Sequence, residues 1–325
     1  MGNHVIISDL HLGRFGRGRE ENANALTAFA TMAAERGARF WVNGDLDEDY
    51  LLRKGAVDLR AYRADAEVVR RAFEIFCRAT SNPIDVLRGN HDHPQMDDAL
   101  LQERIAPWSD SLRFRVHRAL AVQPEQNLVL THGHIIDGIV ESRMRIQRAI
   151  KEGWKSQAAL DILSDPLLEE LFRKKDLRAD RLIHLCMTFA RRLGFAETIE
   201  DTIPSFLGFK KRREQRQHEQ LFRDSSYQER TRERASMTDT AAHLALAACS
   251  RVIAVGHDHV CGLVPRMVPN PRTGTYERVI VANSGDFVAS GRAKTAVFVD
   301  TDERTVRLLM HDKEGVKPLK GPVDF

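Results

Sequence analysis

The sequence predicts an α/β protein carrying a mostly helical insertion, and three observations predict it. Short apolar runs recur through both ends of the chain, and five of them close in Asp, Asn or His. Amphipathic stretches of helical spacing lie between the early runs, as strand-to-helix crossovers require. From about Ile136 to Ala241, strand-like runs vanish and Arg, Lys, Glu, Leu and Ala dominate. The organisation read from this is a core in two parts, 1–135 and 242–325, with a helical lid or cap at 136–241.

In chain order, Val5-Ile6-Ile7 is a strand that runs into Ser8-Asp9-Leu10-His11. Residues i and i+2 of an extended segment point the same way, so Asp9 and His11 are expected to converge on one ion. A glycine- and arginine-rich turn, 13–19, precedes a helix over Ala25–Glu35 that ends at Gly37. Phe40-Trp41-Val42 forms the next strand and delivers Asn43-Gly44-Asp45-Leu46-Asp47-Glu48. The carboxylate of Asp45 has two oxygens with which to bridge two cations. A second amphipathic helix is expected over Ala64–Thr80, with Val68, Val69, Ala72, Phe73, Ile75 and Phe76 inward.

Ile84–Leu87 then reads as a buried strand that ends in Gly89-Asn90-His91-Asp92. Asn90 offers a neutral oxygen ligand, His91 an imidazole for a substrate, and Asp92 a carboxylate to hold that ring. Leu112–Arg118 alternates apolar and basic residues, which predicts a half-exposed antiparallel strand with His117 at the surface. Asn127–Leu130 leads to Thr131-His132-Gly133-His134, and Arg251–Val255 to Gly256-His257-Asp258-His259. Val279–Ala282 runs into Asn283-Ser284-Gly285-Asp286, and Thr295–Val299 with Val306–Leu309 close the chain as an antiparallel pair.

Ligands in mixed α/β sheets collect beyond the carboxyl ends of strands. Asp9, His11, Asp45, Asn90, His132, His257 and His259 therefore form one candidate inventory of imidazole and carboxylate donors, suited to Mn, Fe or Zn and not to a thiolate site. Seven donors exceed one ion. Two ions roughly 3.5–4 Å apart, bridged by Asp45, would use them.

Composition narrows the setting. A 325-residue chain with 42% hydrophobic residues buries a large core, and a net charge of +3 neither demands nor excludes an anionic partner. Cys77, Cys186, Cys249 and Cys261 show no CxxC spacing and are expected to be reduced. A strand begins at His4, leaving no room for a signal peptide, and the apolar stretch Leu182–Phe195 is shorter than the roughly 20 residues of a membrane span. The expected location is cytoplasmic, with peripheral contact at the inner face of the membrane as an option for the insertion and no transmembrane segment.

The succession DLH at Asp9–His11, GDLDE at Gly44–Glu48, GNHD at Gly89–Asp92, THGH around His132 and GHDH at Gly256–His259 resembles the calcineurin-like metallophosphoesterases. The likeness covers about Val5–Leu130 and Ser250–Leu309 and leaves the insertion aside. It implies a two-sheet αββα sandwich and a binuclear-metal-dependent phosphoester hydrolase in which a metal-bridging hydroxide attacks phosphorus. Two divalent ions are implied, Mn2+ foremost. Asp9, His11, Asp45 and His259 would hold one, and Asp45, Asn90, His132 and His257 the other. His91 would assist the leaving group, with Asp92 as its orienting partner. The usual GDxxD ends here in Glu48, where a longer carboxylate fits.

Within that superfamily, SDLHLG, THGH and the run Val281–Val288 look most similar to the UDP-2,3-diacylglucosamine pyrophosphatase-like group, which implies a UDP-lipid-like pyrophosphate as substrate. Those enzymes carry arginine where this chain has His91. An imidazole can give up a proton to a leaving group, whereas a guanidinium stays charged. The second reading is a DNA-repair-type nuclease or phosphodiesterase in which Arg14–Arg19 and Lys210–Arg216 meet nucleic-acid phosphates. The third is a non-catalytic scaffold on the same fold.

Overall fold

The computed structural model describes residues 2–93, 96–105, 111–118, 120–134, 136, 227–270, 275–288 and 293–325. The chain opens with β1 (His4–Ile7), α1 (Arg19–Glu35), β2 (Arg39–Asn43), α2 (Asp49–Arg53), α3 (Leu59–Ala79), β3 (Ile84–Leu87) and α4 (Asp98–Ile105). β4 (Phe114–His117), β5 (Leu120–Gln123) and β6 (Leu128–Thr131) follow. After α5 (Tyr227–Ala247) come β7 (Val252–Val255), β8 (Gly262–Pro269), β9 (Tyr276–Asn283), β10 (Lys294–Asp300), β11 (Thr305–Asp312) and β12 (Gly315–Asp324).

The strands form two sheets, ordered β12-β11-β10-β1-β2-β3-β4 and β5-β6-β7-β9-β8. Period-2 alternation decides what each face covers. Val5, Ile7, Phe40 and Val42 pack under α1 and α3. Ile6 and Trp41, one residue out of phase, turn inward against Leu128, Leu130, Val252 and Ile280 of the second sheet. The outer face of that sheet, with Val129, Ile253 and Val279, is covered by Ala241, Ala242 and Ala245 of α5. The result is the expected αββα sandwich.

Each sheet holds a parallel trio. β1, β2 and β3 run together in the first, with β4 continuing them as a fourth, and β6, β7 and β9 run together in the second, so their carboxyl ends meet at one edge of the sandwich. Asp58 begins α3 by accepting the Arg60 N–H, and Gly37, at φ 59°, lets the chain leave α1 toward β2.

Two expectations need correction. β4 pairs parallel to β3, not antiparallel, with Ile84 opposite Phe114. Alternation reports that one face is exposed and carries no information on strand direction. His117 is half-buried and not simply a surface histidine: its Nε2 lies 2.8 Å from Asp85 Oδ1 and its ring centroid lies 4.9 Å from that of Trp41. β5, β8, β12, α2 and α4 were not expected from the sequence. The expected boundary at 241/242 falls within α5. Cys186, Leu182–Phe195 and Lys210–Arg216 lie outside the described residues. Among the described residues no helix is long and apolar enough to cross a membrane, and Cys77, Cys249 and Cys261 are free thiols.

His4 is fully buried and accepts the Trp41 Nε1–H at Nδ1, 3.0 Å away. Burial, and then the Arg39 charge, lower its pKa from 6.5 to about 4. With the folded value below the unfolded one, the unfolded chain takes up the proton first as acidity rises. The stability at stake is intact above pH 6.5 and is lost as pH falls through 4, by about 3 kcal/mol in all. Urea unfolding of wild type should therefore lose stability between pH 6.5 and 4 more steeply than His4→Gln, whose amide accepts the same indole N–H.

Candidate metal centre

Gly44, His132 and Gly256 follow directly on β2, β6 and β7, Gly89 comes two residues after β3, and backbone hydrogen bonds join loops at these strand ends. Asp9 N donates to Gly44 O (3.0 Å), His11 N to Asp45 O (2.9 Å), and Gly256 N to His132 O (3.1 Å). Gly44 adopts φ +87°, and a Cβ there would sit 2.3 Å from the His132 ring, so only glycine lets β2 and β6 deliver their residues this closely.

The candidate ligands are held in costly backbone. Asp9, His11, Asp45, His257 and His259 all have φ between 49° and 76°. Left-handed conformation costs roughly 1–2 kcal/mol per non-glycine residue, and such strain gathers at functional sites. The same observation revises one expectation. Asp9 and His11 do converge, but through a left-handed turn beyond β1 and not through extended alternation.

Three overlapping groups have their donor atoms within 4.8 Å of one another: Asp9 with His11 and His259, His11 with Asp45 and His91, and Asp45 with His132 and His257. Six of the seven expected ligands thus come together, with Asp45 in two of the groups. For the seventh, Asn90, the side-chain Oδ1 is buried without a hydrogen-bond partner. His134 stands beside the cluster, its ring 5.7 Å from that of His132 and 6.4 Å from that of His257.

The ring orientations follow from what holds Nδ1. His132 Nδ1 lies 2.9 Å from Asn43 O, His11 Nδ1 lies 2.7 Å from Glu48 Oε1, and His259 Nδ1 lies 3.3 Å from Asp286 Oδ2. In each ring Nε2 is left to face Asp9 or Asp45, at 2.9 Å for His132 to Asp45 Oδ2 and 3.3 Å for His259 to Asp9 Oδ1. This division of the two nitrogens is that of metal-ligating histidines.

These atoms fit a divalent cation. His132 Nε2 is buried and stands 2.9 Å from Asp45 Oδ2 without hydrogen-bond geometry, so the ring nitrogen and the carboxylate are both aimed at the centre and not at one another. His11 Nε2 and His259 Nε2 stand 3.3 Å apart, a contact that a cation between them would relieve. Burial opposes charge at Asp45, yet the His132 and His91 imidazoles hold its pKa well below the usual carboxylate range. Burial likewise opposes charge on His132, yet Asp45 and Asp9 raise its pKa to about 9. The fixed carboxylates draw protons onto nearby rings as a substitute positive charge, the electrostatic mark of a cation site.

One expected role is reassigned. Asp92 does not orient His91; its carboxylate accepts the backbone N–H groups of Asp45 (3.0 Å), Asp47 (2.7 Å) and Gly89 (2.7 Å). Three backbone donors take most of the roughly four acceptor positions of a carboxylate. The His91 ring meets Glu48 instead, Nδ1 to Oε2 at 2.9 Å, while Oε1 of the same buried carboxylate meets His11 and the Arg14 guanidinium. Glu48 was legible as the last residue of the GDLDE block, but its two simultaneous partners were not. The loop before α1 is tied down by Asp65, which accepts from Gly13 N (2.9 Å), Phe15 N (3.0 Å) and Arg19 Nε (2.6 Å).

A profile of the family described as calcineurin-like phosphoesterase matches residues 4–261. Among solved structures, the chain is similar to a Vps29 single mutant from Entamoeba histolytica, at 11% identity, 99% coverage of each chain and a TM-score of 0.30. No curated protein matches it. With most of its length matched, including every candidate ligand, the chain belongs to the calcineurin-like phosphoesterase family.

Proposed function

We propose that this protein is a binuclear-metal-dependent phosphoester hydrolase. The observation that carries the reading is the sharing of Asp45 between two groups of closely spaced donors, one with His11 and His91 and the other with His132 and His257. Asp9, His11, Asp45 and His259 are the residues to hold one ion, and Asp45, Asn90, His132 and His257 the other. Bound divalent ions, Mn2+ foremost, would supply hydroxide at neutral pH and neutralise phosphate oxygens.

The chain's own residues supply the rest. Asn43 O and Glu48 keep the His132 and His11 rings turned so that Nε2 points at the centre. The His91 side chain is 21% exposed, with Nε2 4.0 Å from Asp45 Oδ2, at the margin between the cluster and solvent. Its Nδ1 lies 2.9 Å from Glu48 Oε2, a contact that holds the ring and leaves Nε2 as the atom to pass a proton to the departing oxygen. His91 was expected in this role from the sequence; its partner is Glu48 and not Asp92.

A UDP-lipid-like pyrophosphate is the substrate to test first, supported by the resemblance of Thr131–His134 and Val281–Val288 to that group. A phosphodiester in nucleic acid is the second reading, favoured by Arg14, which reaches Glu48 beside the cluster and carries a basic turn to its edge.

The test is Mn2+-supplemented hydrolysis of aryl and alkyl phosphomonoesters and diesters, a UDP-lipid and single-stranded DNA, by wild type and His91→Gln. His91→Gln should retain wild-type metal content and lose about 10²–10⁴-fold in turnover, the deficit growing as the leaving group becomes more basic. A deficit independent of leaving-group basicity would remove His91 as the proton donor. A wild type that binds two ions yet cleaves none of these substrates would move the non-catalytic scaffold ahead.

A further inference from the structure

Of the residues assigned to the first ion, Asp9, His11 and Asp45 are almost wholly buried and packing fixes them. His259 is different: its side chain is 36% exposed, on a loop held at φ 58°. Something other than packing must keep its Nε2 aimed at Asp9. We infer that Asp286, on the connection between β9 and β10, is the positioning residue that holds the His259 ring for the first ion. The inference rests on the proposed two-ion reading and concerns a residue beyond the 4–261 stretch that matches the family.

Asp286 is itself rigidly placed. Its side chain is 9% exposed, Oδ2 stands 3.3 Å from His259 Nδ1, and Oδ1 accepts the Val288 N–H at 3.1 Å. Residues on both sides of it are anchored to the first ligand loop. Gly285 O accepts the Ser8 hydroxyl (2.9 Å), and Gly285 N donates to Asn283 Oδ1 (2.8 Å). Phe287 N donates to Asp9 O (3.1 Å), and Phe287 O accepts from Asn22 Nδ2 (2.7 Å). The segment that carries Asp286 is thus bonded to the segment that carries Asp9, so the His259 ring is referenced to the carboxylate with which it would share an ion. A carboxylate on Nδ1–H selects the tautomer with a free Nε2 lone pair and raises its basicity.

The experiment is a Mn2+ titration of metal-free wild type, Asp286→Ala and Asp286→Asn, followed by calorimetry, with thermal unfolding of each metal-free protein. Asp286→Ala should weaken one of the two equivalents by about 10–100-fold and leave the other within about twofold. Asp286→Asn, whose amide oxygen can still accept from Nδ1–H, should weaken the same equivalent less. Unchanged affinity at both equivalents overturns the inference. So does equal weakening of both with a lowered unfolding midpoint, since a merely structural residue would act that way. If Asp286→Ala does not fold, Asp286→Asn decides alone, by whether its weakening is confined to one equivalent. Two tight equivalents in wild type with no change in the variants defeat this inference only; a wild type that binds no Mn2+ defeats the two-ion reading and the inference with it.

Discussion

Asp45→Asn should deprive both proposed ion positions of their shared ligand and reduce turnover by at least about 10³-fold. Asp45 is a member of two of the three donor groups, and its Oδ2 lies 2.9 Å from His132 Nε2 and 3.7 Å from His11 Nε2. Asn retains one carbonyl oxygen but replaces the other with an N–H₂ group that repels a cation and removes a negative charge. Bound metal contributes several kcal/mol of charge stabilisation in phosphoryl chemistry, and each 1.4 kcal/mol is about tenfold. Elemental analysis after Mn2+ loading and gel filtration should show the ion content falling for Asp45→Asn and holding for His91→Gln. Equal metal content in the two variants would remove Asp45 as the shared ligand.

Gly89→Ala should cost as much activity by a steric route. A Cβ at position 89 would stand 2.1 Å from Asp45 Oδ1, 2.4 Å from Asp45 N and 2.8 Å from Asp45 Cγ. The obstruction includes backbone, so a flexible side-chain tip cannot simply swing aside. Either the end of β3 or the Asp45 turn must shift, and the hydrogen bonds of His91 N to Asp45 Oδ1 (2.9 Å) and Gly89 N to Asp92 Oδ2 (2.7 Å) shift with it. Overpacking of this kind costs about 1–3 kcal/mol of stability, so the variant should remain folded in cold buffer. Its ion content and turnover should fall as in Asp45→Asn. A Gly89→Ala protein with wild-type metal content would show that the two strand ends do not need their present approach.

Much of the fold was readable from local pattern. The apolar runs in β1, β2, β3, β6, β7 and β9 stand out because these strands are covered on both faces, and α1 and α3 carry an inward stripe, from which Ile75, expected inward, departs as an exposed residue. The edge of each sheet was harder to read. β8 has exposed residues such as Met267, and β12 is largely exposed, so neither carries a buried signature by which to find it. β4 was found but given the wrong direction, because its exposed alternation is the same in either orientation.

The candidate centre divides the same way. Asp9, His11, Asp45, Asn90, His132, His257 and His259 were legible because each lies in the loop that follows a strand, and strand ends in a parallel sheet must meet. The partners of those residues were not legible. That Asp92 binds three backbone N–H groups, that Glu48 spans His11 and His91, and that Asp286 reaches His259 depend on where loops from distant strands cross.

What the sequence by itself determined is the set of donors and the class of fold, since residue type, apolar period and position after a strand are all local properties. Only the tertiary structure decided which donor faces which. Ring orientation is set by the atom opposite Nδ1, and that atom comes from another strand, 37 residues away for His11 and Glu48 and 89 for His132 and Asn43. Contacts between segments so far apart are chosen by which strands pair, β1 with β2 for His11 and Glu48, and by how the two sheets stack, through the packing of Ile6 and Trp41 against Leu130 and Ile280, for His132 and Asn43, and no window along the chain contains that information.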